Sequence, residues 1–196
     1  MSTRETCLHC HYPLKMCVCR GISRISVPVK LIILQHPLEN KHAKNTARLI
    51  NLCIPETRIV VGETAQDFAT LRSELCHAQT KTWVIYPNQH SKPLHLAAKT
   101  SATTLPETLI LIDATWRKAY KMWQLNPWLD EFPSWHFNAQ ASANYRVRKS
   151  SLPHSLSTLE ATSLALQTLF ASDTQGLTLI FETMQQNIER FAPPKN

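Results

Sequence analysis

The chain has 196 residues, of which 43% are hydrophobic and 18% are charged, so it can form a globular domain with a sizeable core. Only three glycines accompany twelve prolines. Neither a G-x-G-x-x-G segment nor a Walker-type loop is present, which argues against a conventional nucleotide-binding loop. The sequence also lacks an apolar run long enough for a membrane span and an N-terminus typical of a signal peptide. We therefore expect a cytoplasmic protein that does not bind membranes.

The net charge of +7 is concentrated near the N-terminus. Residues 1–50 contain eight lysines and arginines against two glutamates, a net charge of +6. Such a distribution fits a polyanionic partner, because each contact between a basic side chain and a phosphate releases a counterion. Moderately basic proteins of this size often bind no anion, so the charge by itself favours nucleic acid only weakly.

Four of the six cysteines lie within thirteen residues, as a C-x2-C pair and a C-x-C pair: Cys7, Cys10, Cys17 and Cys19. This pattern suits a closed, structural zinc site, whereas disulfides are rare in a reducing cytosol. A thiol redox site would need a strand before Cys7, and none is predicted. We predict a zinc knuckle over residues 1–26 that folds around the metal, followed by one domain over residues 27–196. Cys53 and Cys76 are expected to be buried thiols.

Apolar strands alternate with amphipathic helices along the rest of the chain. In order, we predict a strand over 28–37, a helix over 42–53, a strand over 58–61, a helix over 65–77, a strand over 82–87, a loop with about one helical turn over 90–104, a strand over 108–113, a helix over 115–124, a short strand over 135–137, and helices over 158–171 and 177–191. This alternation predicts an α/β fold with a mostly parallel sheet and helices on both faces.

Three predicted strands end in distinctive residues, and sites in such folds lie beyond the carboxyl ends of the strands. The three ends are Gln35-His36-Pro37, Tyr86-Pro87 and Asp113-Ala114-Thr115-Trp116. Asp113 either caps the helix that follows, a role worth about 1 kcal/mol, or takes part in chemistry. By themselves, the residues give these two interpretations equal weight.

Five segments in this order resemble the DTW-domain family, which is named for its Asp-x-Thr-Trp motif. They are the cysteine cluster, QHPLENKHAKNTARLI (35–50), LILIDATWRKAYKM (109–122), YRVRK (145–149) and LSTLEA (156–161). The resemblance covers nearly the whole chain. It implies a SPOUT-like fold with a knotted C-terminal part, and either a monomer or a homodimer.

The same resemblance implies a tRNA-uridine aminocarboxypropyltransferase. Such an enzyme transfers the 3-amino-3-carboxypropyl group of S-adenosylmethionine to N3 of a uridine in tRNA and releases methylthioadenosine. The sulfonium is already an activated leaving group, so no catalytic metal is required, whereas N3 must lose its proton. The family motif favours a catalytic role for Asp113 over helix capping. Asp113 would be either the base or the group that anchors the uracil.

Seven residues are the candidates for cofactor binding. Trp116 could stack on a base but also begins a stripe of apolar helical residues, so a place in the core is a strong alternative. Thr115 fits a helix cap equally well, and two arginines would pair with a carboxylate or a phosphate unless they lie on a solvated face. Ser157 to Glu160 forms an S-x-x-E capping box, which explains Glu160 without a cofactor. The candidates are Thr115, Trp116, Arg146, Arg148, Ser157, Thr158 and Glu160.

Six further residues are the candidates for contact with RNA: His36, Asn45, Arg48, Arg117, Lys118 and Lys121. Asn45 and Arg48 are spaced i, i+3 and would share one face of a helix. The alternative is that His36 is simply buried and that Arg48 simply lies on the surface. This structural interpretation and contact with RNA carry about equal weight.

Two other functions stay open. A SPOUT-like RNA methyltransferase would use the same cofactor but would release S-adenosylhomocysteine. A non-catalytic, zinc-dependent RNA-binding protein would tolerate the loss of Asp113 but not the loss of Cys7 or Cys10.

Overall fold

The computed structural model describes residues 5–40, 42, 44–78, 80–97, 105–138 and 156–191. Within them, six parallel strands form one sheet in the order β2-β1-β5-β3-β6-β4. The predicted α/β fold with a parallel sheet is therefore confirmed. The strands are β1 (Lys30–Gln35), β2 (Arg58–Val61), β3 (Thr82–Ile85), β4 (Lys92–Pro93), β5 (Thr108–Asp113) and β6 (Ser134–His136).

Helices cover both faces of the sheet. The α-helices are α1 (Pro37–Asn40), α2 (Thr46–Cys53), α3 (Ala69–Ala78), α4 (Leu94–Ala97), α5 (Trp116–Leu125), α6 (Thr158–Phe170) and α7 (Gln175–Arg190). On one face α2, α4, α6 and α7 pack into a single buried cluster, and on the other α3 and α5 pack with a short 3-10 helix over Pro127–Glu131. Because both faces are covered, the central strands are apolar throughout rather than alternating.

Most element boundaries lie within two residues of the predictions. The helix predicted over 65–77 begins instead at Ala69, and two other differences have local causes. The unpredicted helix α1 begins at Pro37, whose fixed φ suits a first helical position. The helix predicted from residue 42 begins at Thr46, because the side chain of Asn45 accepts the Arg48 amide and caps it there. Within residues 90–104, α4 agrees with the single helical turn predicted there, whereas the two-residue strand β4 was not predicted.

One burial prediction is wrong, and the core position left open as an alternative for Trp116 is not supported. Cys76 is exposed, since α3 turns Leu71 and Leu75 towards the sheet. The stripe predicted to begin at Trp116 is buried only in part: α5 buries Ala119, Met122 and Trp123, whereas Trp116 is 51% exposed and Tyr120 is 62% exposed. The helix is thus turned so that its first aromatic residue faces away from the core.

The N-terminal segment, residues 5–26, packs onto α2 and α7. Cys10, Tyr12 and Val18 are buried in the same cluster as the helices, and Asn187 of α7 donates to the Cys17 carbonyl over 2.9 Å. Gly21 approaches α7 so closely that a Cβ there would lie 2.4 Å from Thr183 Oγ1. The segment therefore shares a core with the sheet, and its separation from residues 27–196 as a domain stays a prediction.

Two further expectations concern the chain as a whole. None of the helices in the described part of the chain combines the length and apolarity that a membrane span requires. The knot expected for the C-terminal part stays a prediction.

Candidate functional site at the carboxyl end of the sheet

A cavity of about 620 Å³ lies beyond the carboxyl ends of β3, β5 and β6. Its size falls in the range of about 300–1,000 Å³ that is usual for small-molecule sites. Its wall includes Tyr86, the run Asp113-Ala114-Thr115-Trp116-Arg117, and the start of α6. The chain thus brings two of the three distinctive strand ends, and the LSTLEA segment, to one cavity.

Asp113 is the last residue of β5 and is 7% exposed. Gln35 Nε2 donates to its Oδ2 over 2.7 Å, and Thr158 Oγ1 donates to its Oδ1 over 2.5 Å. The capping alternative for Asp113 is not supported, because Thr115 holds the N-cap position of α5. Burial raises the pKa of Asp113 above its usual range, the bonds from Gln35 and Thr158 oppose that rise, and the charge of Glu39 adds to it.

Gln35 was not among the predicted site residues, although the signal for it was present. It ends β1, which pairs in parallel with β5, and the register sets Gln35 directly beside Asp113. Its amide also donates to Asn45 Oδ1 over 3.2 Å. Asn45, predicted to contact RNA, is therefore 5% exposed and belongs to the network that holds Asp113.

The capping box predicted at the start of α6 is present. The Ser157 side chain accepts the Glu160 amide, and the Glu160 carboxylate accepts from both the backbone and the hydroxyl of Ser157. Ser157 and Thr158 line the cavity, whereas Glu160 is 1% exposed and points into the box. Of these three residues, Ser157 and Thr158 are placed to meet a ligand, and the contact of Glu160 with a cofactor stays a prediction.

Trp116 and Arg117 form the rim of the cavity at the start of α5. Both are exposed and both line it, as does Thr115, whose side chain makes no capping bond. His42 and Lys44, which were not predicted, lie on the same wall. An aromatic ring beside positive charge is the combination that stacks and neutralises a nucleic acid strand.

The remaining RNA candidates lie away from the wall or already have partners in the protein. His36 is buried and approaches Glu63 at 3.6 Å, because strand alternation turns it from the face that Gln35 uses. Lys118 and Lys121 each pair with a glutamate, Glu39 and Glu63, at 2.9 Å. Their contact with RNA stays a prediction.

Arg48 joins the N-terminal segment to α2. Its guanidinium donates to the His11 carbonyl over 3.0 Å and lies 5.0 Å from the centre of the Tyr12 ring. Tyr12 in turn donates to the Asn45 carbonyl over 2.5 Å. Arg48 therefore has a structural role, and its contact with RNA stays a prediction. Arg146 and Arg148 lie outside the described residues.

The four N-terminal cysteines converge on one point. All four Sγ atoms lie within 4.8 Å of one another, with 3.5 Å from Cys7 to Cys19 and 3.8 Å from Cys10 to Cys17. Four zinc–sulfur bonds of about 2.3 Å at tetrahedral angles place the sulfur atoms about 3.8 Å apart, so the cluster fits a zinc ion.

The thiols of this cluster differ in acidity. Backbone N–H groups of Cys10 and His9 lower the pKa of Cys7 to about 6, whereas burial and the neighbouring thiols raise the pKa of Cys19. Four thiolates this close repel one another, and a bound cation removes that cost.

A larger groove of about 1,100 Å³ lies at the opposite end of the sheet, before β1 and β5. Its charged residues are two lysines and two glutamates, Lys30, Lys81, Glu56 and Glu107. The groove contains none of the predicted site residues, and sites of parallel sheets lie at the other end. The carboxyl-end cavity is therefore the candidate site.

Comparison with known proteins identifies the family of the chain. The family model of the DTW domain matches residues 4–189. The chain is 29% identical over 173 residues to tRNA-uridine aminocarboxypropyltransferase 2 of Drosophila melanogaster, covering 85% of this chain and 67% of that relative. It is 26% identical over 170 residues to the Mus musculus protein of the same name, covering 85% and 57%. The chain thus spans between about half and two thirds of these relatives. No solved structure matches it significantly.

Proposed function

The chain belongs to the DTW domain family, and we propose that it is a tRNA-uridine aminocarboxypropyltransferase. The donor would be S-adenosylmethionine, the acceptor would be N3 of a uridine in tRNA, and methylthioadenosine would leave. The observation that carries the proposal is the buried Asp113 of the family motif, held by Gln35 and Thr158 at the wall of a ligand-sized cavity.

The cavity suits a donor that carries both charge and an aromatic base. Its wall combines the Asp113 carboxylate with the apolar side chains of Ile85, Leu111 and Ala161. A negative charge there would attract the sulfonium and the amino group, while the apolar part would accept the adenine. Arg146 and Arg148 are proposed to bind the donor carboxylate, a pairing for which the arginine fork is well shaped.

The reaction demands positioning more than activation. N3 of the uridine must face the methylene carbon beside the sulfonium, rather than the methyl group, so that the aminocarboxypropyl group is the one transferred. Asp113 sits on a strand end and is fixed by two donors from different elements. It is proposed to meet the uridine or the charged donor from that fixed position.

The tRNA would approach over the start of α5. Trp116 could stack on a base next to the target, and Arg117 could neutralise a phosphate. His42 and Lys44 extend the same wall. The zinc that the four cysteines can hold would order the N-terminal segment and would take no part in the transfer.

The proposal is tested by incubating purified protein with S-adenosylmethionine and tRNA from a strain that lacks the corresponding gene. Methylthioadenosine in the medium and aminocarboxypropyluridine among the nucleosides, both measured by mass spectrometry, are the expected products. S-adenosylhomocysteine with a methylated base would instead identify a methyltransferase. Binding of tRNA without any small-molecule product would identify a non-catalytic RNA-binding protein.

A further inference from the structure

We propose that His136 is the base that removes the N3 proton of the uridine. It ends β6 and lines the same cavity as Asp113. This inference rests on the proposed function and assigns its proton transfer to a residue outside the family motif.

The sheet places His136 one residue short of the level of Asp113, in line with Ile112. β6 pairs in parallel with β3, with Trp135 opposite Ile85, so His136 follows beside Tyr86. β3 separates β6 from β5, and Asp113 ends β5 at the same edge. Two strand spacings of about 4.8 Å put the backbones of His136 and Asp113 roughly 10 Å apart. Because successive residues of a strand point to opposite faces, the two side chains leave the sheet on different faces, and they border the cavity at its carboxyl edge from two sides.

The loop that follows β3 fixes the His136 ring. Ser91 Oγ lies 2.9 Å from His136 Nδ1 and donates its hydrogen to the Asn88 carbonyl over 2.8 Å. Asn88 is itself held, since its amide nitrogen donates to Ser134 Oγ over 2.8 Å. The ring is therefore anchored at Nδ1 through Ser91 to the Asn88 carbonyl, and the side chain of Asn88 ties that loop to Ser134 of β6.

This arrangement assigns the tautomer of the imidazole. A serine hydroxyl has one hydrogen, and Ser91 gives it to Asn88, so His136 Nδ1 must be the donor to Ser91. The neutral ring then carries its hydrogen on Nδ1 and a lone pair on Nε2. A general base needs such a lone pair in a fixed direction.

Asp113 is less suited to take the proton. Both of its oxygens already accept hydrogen bonds, from Gln35 and Thr158, and it is 7% exposed. Its charge can instead face the cationic donor. The two groups thus have separate roles. The Asp113 carboxylate faces the sulfonium of the donor, and the His136 imidazole faces N3 of the uridine.

The step balances as follows. The N3–H bond breaks and its proton goes to His136 Nε2, which leaves the electron pair on N3. That pair forms the N3–C bond to the methylene carbon of the donor. The C–S bond breaks, its electron pair returns to sulfur, and neutral methylthioadenosine departs. The imidazolium then gives its proton to water, and no oxidant or reductant is consumed.

The test compares His136→Asn with His136→Ala in the full-length protein. The asparagine amide can still donate to Ser91 but has no basic nitrogen at the Nε2 position. We expect His136→Asn to lower kcat by about 100-fold or more, the usual range for a general base, with KM for tRNA and donor within a few-fold. Added imidazole should restore part of the activity of His136→Ala, because the truncated side chain leaves room for it beside the cavity. His95→Asn, on the exposed face of α4, is the matched control and should keep wild-type kcat.

Two results would overturn the assignment while leaving the proposed function intact. One is a His136→Asn variant with wild-type kcat. The other is a variant that loses activity through KM alone, without rescue of His136→Ala by imidazole, which would make His136 a binding residue. If the wild-type protein forms no aminocarboxypropyluridine, the proposed function fails and the assignment fails with it.

Discussion

Gln35 donates to Asp113 across the junction of two parallel strands, over 2.7 Å, and the same amide reaches Asn45 at the N-cap of α2. The direction of the carboxylate is therefore set by two strand ends and a helix start together. Thr158 adds a fourth element, the N-terminus of α6. A site built this way tolerates little change in any of its supports.

Replacing Gln35 by leucine should move the acid limb of the pH–rate profile upward. The Gln35 amide opposes the rise that burial causes in the pKa of Asp113, so without this donor the pKa rises further. A smaller fraction of Asp113 is then ionised at a given pH, and activity should fall most at the acid end. The measurement is kcat/KM against pH for both proteins.

Gln124→Leu, on the exposed side of α5, is the control for Gln35→Leu and should leave the profile unchanged. A Gln35→Leu profile that drops equally at every pH would mean that the amide acts only by shaping the cavity.

Asp113→Asn should abolish transfer yet leave the protein at least as stable at neutral pH. The folded-state pKa of Asp113 lies above its unfolded value. Ionised Asp113 therefore costs stability once the pH exceeds the folded pKa, and this cost disappears below the unfolded pKa of about 4. Thermal melting at pH 8 and at about pH 3.5, below the unfolded pKa, measures the effect, with a gain for the variant that is larger at pH 8. A variant several degrees less stable at pH 8 would show that the ionised carboxylate contributes net stability.

Strands β1, β3 and β5 could be predicted from the sequence because each is a continuous apolar run, such as residues 109–112, that a proline or an acid follows closely. The capping box at Ser157 was equally visible, since its residues are neighbours in the chain. The bond from Gln35 to Asp113 joins residues 78 positions apart and depends on strand order. Strand order is a property of the whole fold rather than of any segment. His136 was missed for the same reason, because Ser91, which orients it, lies in another loop.

The rotation of α5 shows a different limit of sequence analysis. Trp116, Ala119, Tyr120 and Trp123 have helical spacing, yet only Ala119 and Trp123 face the sheet. When the apolar stripe of a helix is wider than the surface that packs against the sheet, the residues along one edge of the stripe stay exposed. The sequence does not show which edge this will be. Here the exposed edge includes Trp116, which instead borders the cavity.

Trp116→Ala should weaken substrate binding with little effect on stability. Stacking of a base on an aromatic ring is worth about 1–3 kcal/mol, so KM should rise roughly 5- to 150-fold. Trp116 is 51% exposed, and its removal opens no cavity in the core. Steady-state kinetics and a melting curve of the same preparation give both quantities.

Trp116→Phe should keep most of the affinity, because a ring still stacks. Tyr120→Ala, on the same helix but outside the cavity wall, is the matched control. Equal KM values for Trp116→Ala and wild type would remove the tryptophan from the binding surface.

Cys10→Ser should lower both the zinc content and the stability. Wild-type protein is expected to bind about one zinc ion per chain, since four cysteines close a structural site. Without the metal the N-terminal segment should detach, exposing Tyr12 and Val18, whose burial contributes about 3–6 kcal/mol. The melting temperature should fall by roughly 10 °C.

Cys76→Ser changes an exposed thiol outside the cluster and should match wild type in both respects. A metal-free wild-type protein with an unchanged melting curve would contradict the zinc assignment.

Arg117→Ala should reduce the salt dependence of tRNA binding. Arg117 is exposed at the rim of the cavity, where a phosphate of the bound strand can reach it. Each phosphate contact adds about 0.7–0.9 to the slope of log K against log salt concentration, so removal of one contact should lower the slope by about that amount. Binding titrations at several salt concentrations provide the slope.

Arg190→Ala, at the end of α7, removes the same charge away from the cavity and should leave the slope unchanged. If both variants lower the slope equally, the effect comes from net charge rather than from a contact at the rim.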